Sequence, residues 1–144
     1  MKIYDLSRFA EAQRRDYATA LGEIRRGRKE SHWMWYIFPQ IRGLGFSSTS
    51  YFYGVEDEAE AKAFLADPYL GGNLTEISKA LLELPTRRAR DVFPTPDDKK
   101  LRSSMTLFAC AAGPGSVFEQ VLDRYFDGEK DQKTLEILQN GIPD

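Results

Sequence analysis

Cysteine and histidine are almost absent from this chain of 144 residues. Cys110 is the only cysteine, so no disulfide can form within the chain, and His32 is the only histidine, so a zinc site of the Cys/His type is excluded. A catalytic metal could be bound only by carboxylates, alone or together with His32. The sequence contains no motif for a metal or a cofactor, and we predict neither.

Long apolar runs and a strong excess of one charge are also missing. No run approaches the ~20 apolar residues that a membrane-spanning helix needs, and the first five residues lack the apolar centre of a signal peptide. We therefore expect a cytoplasmic protein that does not bind membranes. The net charge of −2 argues against general nucleic-acid binding but leaves room for a local basic patch that binds one small anion. The oligomeric state is left open.

The composition is that of an ordinary globular protein, with 42% hydrophobic and 29% charged residues. The length fits one domain by the usual ~100–200 residues per domain. Connections between the predicted elements are short and contain Gly or Pro, and there is no low-complexity linker and no internal repeat. We predict a single domain that spans residues 1–144.

Helical periodicity dominates the sequence, which predicts an all-α fold. In the segment 6–26, apolar residues recur at helical spacing on one face, and Gly27 ends the segment; these residues are Phe9, Tyr17, Ala20, Leu21 and Ile24. Gln13 lies on the same face, where its amide needs hydrogen-bond partners if it is buried.

Polar residues in front of the other periodic segments predict helix starts. Capping boxes are predicted for the pairs Asp57/Glu60, Asn73/Glu76 and Ser116/Glu119. Thr95-Pro96 predicts a further helix start, because proline is favoured at the first helical position. Asp131 is predicted to cap a last short helix that extends to Leu138.

The segment 27–54 departs from this pattern, because it contains both tryptophans and the histidine without a clear period. We predict a short helix over Trp33–Phe38, ended by Pro39, and then an ordered loop through Gly45.

Three motifs resemble a known family. The stretch GRKESHWMWYIFPQIRGLGFSSTSYFYGV in the segment 27–55 is similar to the signature of domain of unknown function 1810, and DDKKLRSSMTLF (Asp97–Phe108) resembles its second signature. RFAEAQ (Arg8–Gln13) resembles the opening motif. The resemblance implies a small bacterial protein with a mainly α-helical fold and no established activity. Asp67 stands where the family commonly has histidine, which argues against a general mechanism based on histidine.

Several residues of these motifs are candidates for a site. His32 is the candidate general acid or base, because imidazole titrates near neutral pH; the alternative is a histidine that bonds a backbone carbonyl. Trp33, Trp35, Tyr36 and Phe38 could form a wall on which a ring stacks, or could simply pack in the core. Ser104 shares the apolar face of its helix, where its hydroxyl could bond a carbonyl of its own helix or reach Gln13 or His32 across a pocket.

Lys29, Arg28 and Arg42 could bind a phosphate or carboxylate, although a solvated basic turn is the more common fate of such residues.

Three functions follow as hypotheses. The first is a domain that binds a small nucleotide or ADP-ribose-like molecule; its predicted ligand-binding residues are Gln13, Lys29, Trp33, Trp35, Gln40, Arg42 and Ser104. The second is a hydrolase of an N-glycosidic or phosphate bond in such a ligand, with His32 as the candidate catalytic residue or a carboxylate in its place as the base. The third is an interaction module that exposes the aromatic segment to a partner protein.

Overall fold

Nine α-helices and no β-strand are found in residues 3–141, the part of the chain that this computed structural model describes. The predicted all-α fold is confirmed. The helices are α1 (Ser7–Arg25), α2 (Met34–Ile37), α3 (Ser48–Phe52), α4 (Glu58–Ala66), α5 (Pro68–Leu82), α6 (Ala89–Val92), α7 (Asp97–Ala112), α8 (Val117–Phe126) and α9 (Gln132–Asn140). Across residues 3–141, no helix has both the length and the apolar character needed to cross a membrane.

Helix α1 forms where its periodicity predicts it, within one residue at each end. Its buried face includes Phe9, Ala20 and Ile24, and it packs against α2 and α5. The amide of Gln13 finds the partners that burial demands. Its Nε2 donates to the carbonyl of Tyr36, and its Oε1 accepts from Asn73.

The predicted caps are confirmed at three helices. The side chains of Asp57, Ser116 and Asp131 accept hydrogen bonds from the third residue of α4, α8 and α9, respectively. Each of these bonds satisfies one of the backbone N–H groups that the first turn of a helix leaves unpaired. The chemistry of the capping side chain is local, which is why the sequence alone predicts it.

The predicted helix starts at Asn73 and Thr95 are wrong. Helix α5 begins at Pro68 instead, because Asp67 accepts hydrogen bonds from the N–H groups of Tyr69 and Leu70 and so caps the helix six residues before Asn73. Asn73 lies inside α5. Helix α7 begins at Asp97, and the hydroxyl of Thr95 donates to the carboxylate of Asp98 rather than accepting from the backbone.

One continuous hydrophobic cluster joins the helices. Helix α7 lies at its centre and packs against α4, α6, α8 and α9. Phe64 and Phe108 meet there with ring centroids 5.3 Å apart, and the Phe108 and Phe118 rings lie 5.9 Å apart. These contacts fix the position of α7, which carries part of the site described below.

The segment after α2 folds back on itself. Two backbone hydrogen bonds join its two ends. The N–H of Arg42 donates to the carbonyl of Val55 (2.7 Å), and the N–H of Val55 donates to the carbonyl of Gln40 (2.9 Å). We call the residues 42–54 between these bonds the closed loop. It includes α3, which periodicity did not predict. Gly54 is required at its end, because a Cβ there would lie 2.8 Å from the carbonyl oxygen of Ser50.

Candidate functional site

A cavity of about 210 Å³ lies between the closed loop and the N-terminal half of α7. We call it the α7 cavity. Its apolar wall is formed by Trp35, Ile41, Leu44, Gly45, Gly54 and Pro96, and its polar lining by Gln40, Ser50, Tyr53, Lys99, Lys100 and Ser103. Both charged residues of this lining are lysines. The cavity is therefore an electropositive hollow with one largely apolar side.

Trp35 and Lys100 contact each other in this cavity. The Lys100 Nζ lies 4.2 Å from the centroid of the Trp35 ring, a cation–π geometry. Trp35 is only partly buried, unlike Trp33, which is 1% exposed. The ammonium group occupies one face of the Trp35 ring, so a ligand ring has only the remaining surface of the indole to contact.

The side-chain amide of Gln40 is buried at the cavity without a partner. Within the described residues, no atom accepts a hydrogen bond from its Nε2. A buried donor of this kind costs roughly 1–3 kcal/mol relative to a hydrogen-bonded one. Because Gln40 lines the α7 cavity, a ligand that brings an acceptor into the cavity would remove this cost.

The carboxylate of Asp97 forms ion pairs with the buried Lys29 and with Lys100 of the cavity lining. The Lys29 Nζ lies 2.8 Å from Oδ2 of Asp97, and the Lys100 Nζ lies 3.4 Å from Oδ1 of the same carboxylate. Lys29 also donates to the carbonyl of Ser31 (2.6 Å). One carboxylate thus joins the segment before α2 to the first turn of α7, and it holds Lys100 from one side.

Trp33 belongs to a buried cluster around Glu23. The Glu23 carboxylate accepts from the indole N–H of Trp33 (2.9 Å), the hydroxyl of Ser31 (2.5 Å) and the backbone N–H groups of Glu30 (2.7 Å) and Ser31 (2.8 Å). Burial by itself raises the pKa of Glu23, but the hydrogen bonds from Ser31, Glu30 and Trp33 outweigh it and bring the pKa to about 2. This cluster fixes the turn between α1 and α2.

Two of the predicted site residues, Trp35 and Gln40, line the α7 cavity. Gln13, Lys29 and Trp33 are buried and bonded to other parts of the protein, so they hold the site's scaffold rather than face the cavity. The sequence reasoning missed Lys99 and Lys100. The signal for them was present, because both lie in the second motif, DDKKLRSSMTLF.

The other three predicted residues lie elsewhere. His32 is exposed and is not part of the cavity lining, and its carbonyl accepts from the hydroxyl of Tyr36 (3.2 Å). Ser104 is fully buried, but the expected hydrogen bond to its own helix, or to Gln13 or His32, does not form. The neighbouring residues Ser103 and Thr106 make that bond to carbonyls four residues back, at 3.3 and 2.8 Å.

Arg42 faces a second, open groove on the outer side of the closed loop. Its Nε donates to the carbonyl of Tyr51 (3.1 Å), and its guanidinium lies 4.2 Å from the Tyr51 ring centroid. Phe46 is fully exposed in this groove, and Tyr51 and Phe52 are 65% and 53% exposed. This aromatic surface is distinct from the α7 cavity, although the same loop forms both.

Comparisons with known proteins show the same architecture in a relative. The family model described as "Protein of unknown function (DUF1810)" matches residues 3–138. The crystal structure of the conserved hypothetical protein Rv1873 from Mycobacterium tuberculosis is 41% identical in sequence and superposes with a TM-score of 0.92; the alignment covers 94% of this chain and 97% of that one. No protein of curated function matches the sequence.

Proposed function

We propose that this chain, which belongs to the DUF1810 family of proteins of unknown function, binds a small anionic, nucleotide-like molecule in the α7 cavity. The observation that carries the proposal is that Gln40, whose side-chain Nε2 is buried without a partner, lines the same cavity as Lys99 and Lys100. Buried polar groups are normally hydrogen-bonded, so an unpaired donor on a residue that lines a cavity supports a ligand that supplies the partner.

The chemistry of the lining supports an anion with an apolar or ring-shaped body. Lys99 and Lys100 supply positive charge and ammonium donors, and Gln40 supplies an amide donor. Ile41 and Leu44 contribute apolar surface to the same lining. An apolar wall with a few convergent polar groups is typical of small-molecule sites.

The size of the cavity limits how much of the ligand it can enclose. Its volume of about 210 Å³ is below the ~300–1,000 Å³ of typical ligand pockets. A nucleotide or an ADP-ribose-like molecule would therefore place one end in the cavity, with the remainder at its mouth. We further propose that the protein is cytoplasmic and that residues 1–144 act as a single domain.

A hydrolase is less well supported than a binding protein. The hydrolase hypothesis assigns the base to His32 or to a carboxylate, and that group must lie within hydrogen-bond reach of the ligand. Among the described residues, neither a carboxylate nor His32 lines the α7 cavity. Binding without chemistry is therefore the function that we propose first.

A second candidate function is a protein interaction through the outer surface of the closed loop. The exposure of Phe46, Tyr51 and Phe52 favours it, because large aromatic side chains are seldom left together in solvent. This function and ligand binding are compatible, since none of these three aromatic residues lines the α7 cavity.

The direct test of ligand binding is a thermal-shift experiment with the full chain. The ligands are AMP, ribose 5-phosphate, NAD, ADP-ribose and benzoate, each tested well above its expected dissociation constant. A ligand present at about one hundred times that constant adds ~2.7 kcal/mol to the free energy of unfolding. We expect at least one of these anions to raise the melting temperature.

Two variants locate the site. Lys100→Met keeps the aliphatic stem but removes the charge from the α7 cavity, and it should abolish most of the shift. Lys79→Met is the matched control, because Lys79 is exposed on α5 and does not line the cavity. If no anion stabilises the wild-type chain, or if both variants respond like wild type, the proposed function is wrong.

A further inference from the structure

We infer that the α7 cavity selects a phosphate monoester, bound as a dianion, over a monoanionic sulfate ester or carboxylate. This inference rests on the proposed function, because it specifies the ligand of the same cavity. It follows from the balance of charge around Lys99 and Lys100 and from the groups that surround them.

The balance of charge at the start of α7 leaves two cations in excess. The carboxylate of Asp97 lies 2.8 Å from the buried Lys29 and is shared with Lys100 at 3.4 Å, and that of Asp98 is paired with Arg90 at 3.5 Å. Four cationic side chains thus face two carboxylates, and the net charge of the group is +2. Lys99 and Lys100 are the two that line the cavity.

One further carboxylate contacts a residue of the cavity lining but is bonded to another helix. Asp131 is contacted by Ser103 of the cavity lining at 3.1 Å, but the same oxygen, Oδ2, accepts from the N–H and the hydroxyl of Thr134. It is therefore bound to the first turn of α9, and it does not belong to the lining of the cavity.

A charge of +2 matches the phosphate monoester among the common biological anions. Its charge near neutral pH is about −1.5 to −2, and its three terminal oxygens are strong acceptors. Two oxygens can pair with Lys99 and Lys100, and the third can accept from the Nε2 of Gln40 once this side chain turns toward the cavity. A carboxylate or a sulfate ester carries one negative charge, so it would leave one lysine of this pair uncompensated.

The position of Lys100 over Trp35 also favours recognition through the anionic group. Because the ammonium covers one face of the indole, a ligand ring cannot be sandwiched against that face. The affinity therefore depends mainly on the anionic group of the ligand, and the apolar wall can contact uncharged parts of different chemical structure.

The experiment compares three probes that share a phenyl body. Phenyl phosphate, phenyl sulfate and benzoate are titrated calorimetrically into the full chain in a phosphate-free buffer at about pH 7.5, where the phosphate ester is mostly a dianion. We expect phenyl phosphate to bind at least about tenfold more tightly than phenyl sulfate, and benzoate to bind no more tightly than the sulfate.

Variants connect the selectivity to the lysine pair. Lys99→Met and Lys100→Met should each weaken phenyl phosphate binding by about tenfold or more. Each should also reduce the preference for phosphate over sulfate, because the remaining net charge suits a monoanion. Lys79→Met should change neither quantity. Circular dichroism of every variant establishes that it is folded before it is titrated.

The possible failures separate the two proposals. Equal affinities for phenyl phosphate and phenyl sulfate, or tighter binding of benzoate, would overturn the dianion inference while leaving an anion-binding cavity in place. If phenyl phosphate, AMP and ribose 5-phosphate all fail to bind, the inference is also overturned. The proposed function then survives only if benzoate, NAD or ADP-ribose still stabilises the wild-type chain through Lys100.

Discussion

Two glutamines show how one residue type serves two purposes in this protein. Gln13 is 1% exposed, and its amide is paired through both of its polar atoms, to the Tyr36 carbonyl and to Asn73. Gln40 has a buried amide nitrogen that is left without an acceptor. The first stabilises the packing of three helices, whereas the second lowers the stability of the free protein at the cavity where we place the ligand.

Substituting methionine at each glutamine separates these roles. Gln40→Met removes an unpaired buried donor, so we expect the free energy of unfolding to increase by roughly 1 kcal/mol while ligand affinity falls. Gln13→Met breaks a satisfied pair of hydrogen bonds and should cost about 2 kcal/mol or more without changing the affinity of the folded protein. Urea denaturation and ligand titration of both variants measure these effects. A clear loss of stability in Gln40→Met would contradict our interpretation of this amide.

Glu23 makes the stability of the protein depend on acidity. Its pKa is about 2 in the folded protein, against an ordinary value of 4.5. A lowered pKa means that the ionised carboxylate stabilises the fold fully above about pH 4.5, and that this contribution is lost as the pH falls towards 2. We expect Glu23→Gln to lose ~2–4 kcal/mol at neutral pH, because an amide cannot accept from all four donors.

Denaturation across this pH range checks the prediction. The Glu23→Gln variant should lose less stability than wild type between about pH 4.5 and 2. Glu136→Gln, an exposed site on α9, is the control and should follow the wild-type curve. A Glu23→Gln curve parallel to that of wild type would show that Glu23 is not the group responsible.

At the scale of the helical elements, the junction of α4 and α5 depends on the absence of a side chain. Helix α4 ends at Ala66, and α5 begins two residues later at Pro68. In the second turn of α5, a Cβ at Gly71 would lie 2.1 Å from the carbonyl oxygen of Leu65. The two helices can therefore meet this closely only if position 71 is glycine.

The adjacent glycine provides a matched control for this requirement. Gly71→Ala forces α4 and α5 apart and should cost roughly 3 kcal/mol or more. Gly72→Ala should instead stabilise the protein by ~0.5–1 kcal/mol, because a Cβ at position 72 meets no atom within 4 Å and alanine favours the helix. Thermal and urea denaturation measure both changes. If Gly71→Ala is tolerated as well as Gly72→Ala, the requirement for glycine at position 71 is contradicted.

At the scale of the whole molecule, the two main sequence motifs meet at one ion pair. Lys29 comes from the first motif and Asp97 from the second, and the Lys29 side chain is 6% exposed. A charge in such a place is tolerated only when it is paired. The pair connects the turn before α2 to the start of α7, and it also orients Lys100 at the cavity.

A double-mutant cycle tests this connection. Lys29→Met leaves a carboxylate without its closest partner and should cost ~3–5 kcal/mol, and Asp97→Asn should be similarly destabilising. The double variant should lose clearly less than the sum of the two, with a coupling free energy of ~1–3 kcal/mol. The exposed pair of Glu58 and Lys62 is the comparison, since its removal should cost about 0.5 kcal/mol or less. Additive effects of Lys29→Met and Asp97→Asn would show that the pair does not act as a unit.

The sequence predicted the longer helices because they depend on local patterns. The stripe of α1 and the caps of α4, α8 and α9 were read correctly, since each needs only residues within one or two turns. The short helices α3 and α6 have only five and four residues, which is too few for a period to be recognised. Asn73 was misassigned because the signal at Asp67-Pro68 was interpreted only as the end of one helix, although it also begins the next.

The candidate site could be predicted only in part. Trp33 and Trp35 are two positions apart on a short segment, and periodicity did not indicate that the first ring is buried against Glu23 while the second faces a cavity. Lys99 and Lys100 were not predicted because they lie about sixty residues from Gln40 in the sequence, and no local pattern shows that they line the same cavity.

The amino-acid sequence by itself determined the all-α fold and the family, because periodicity, caps and motifs are properties of neighbouring residues. Only the tertiary structure decided which polar side chains converge. It pairs Gln13, Glu23 and Lys29 inside the protein and leaves Gln40 without a partner beside two lysines. That choice depends on how helices far apart in the chain pack, and no local pattern encodes it.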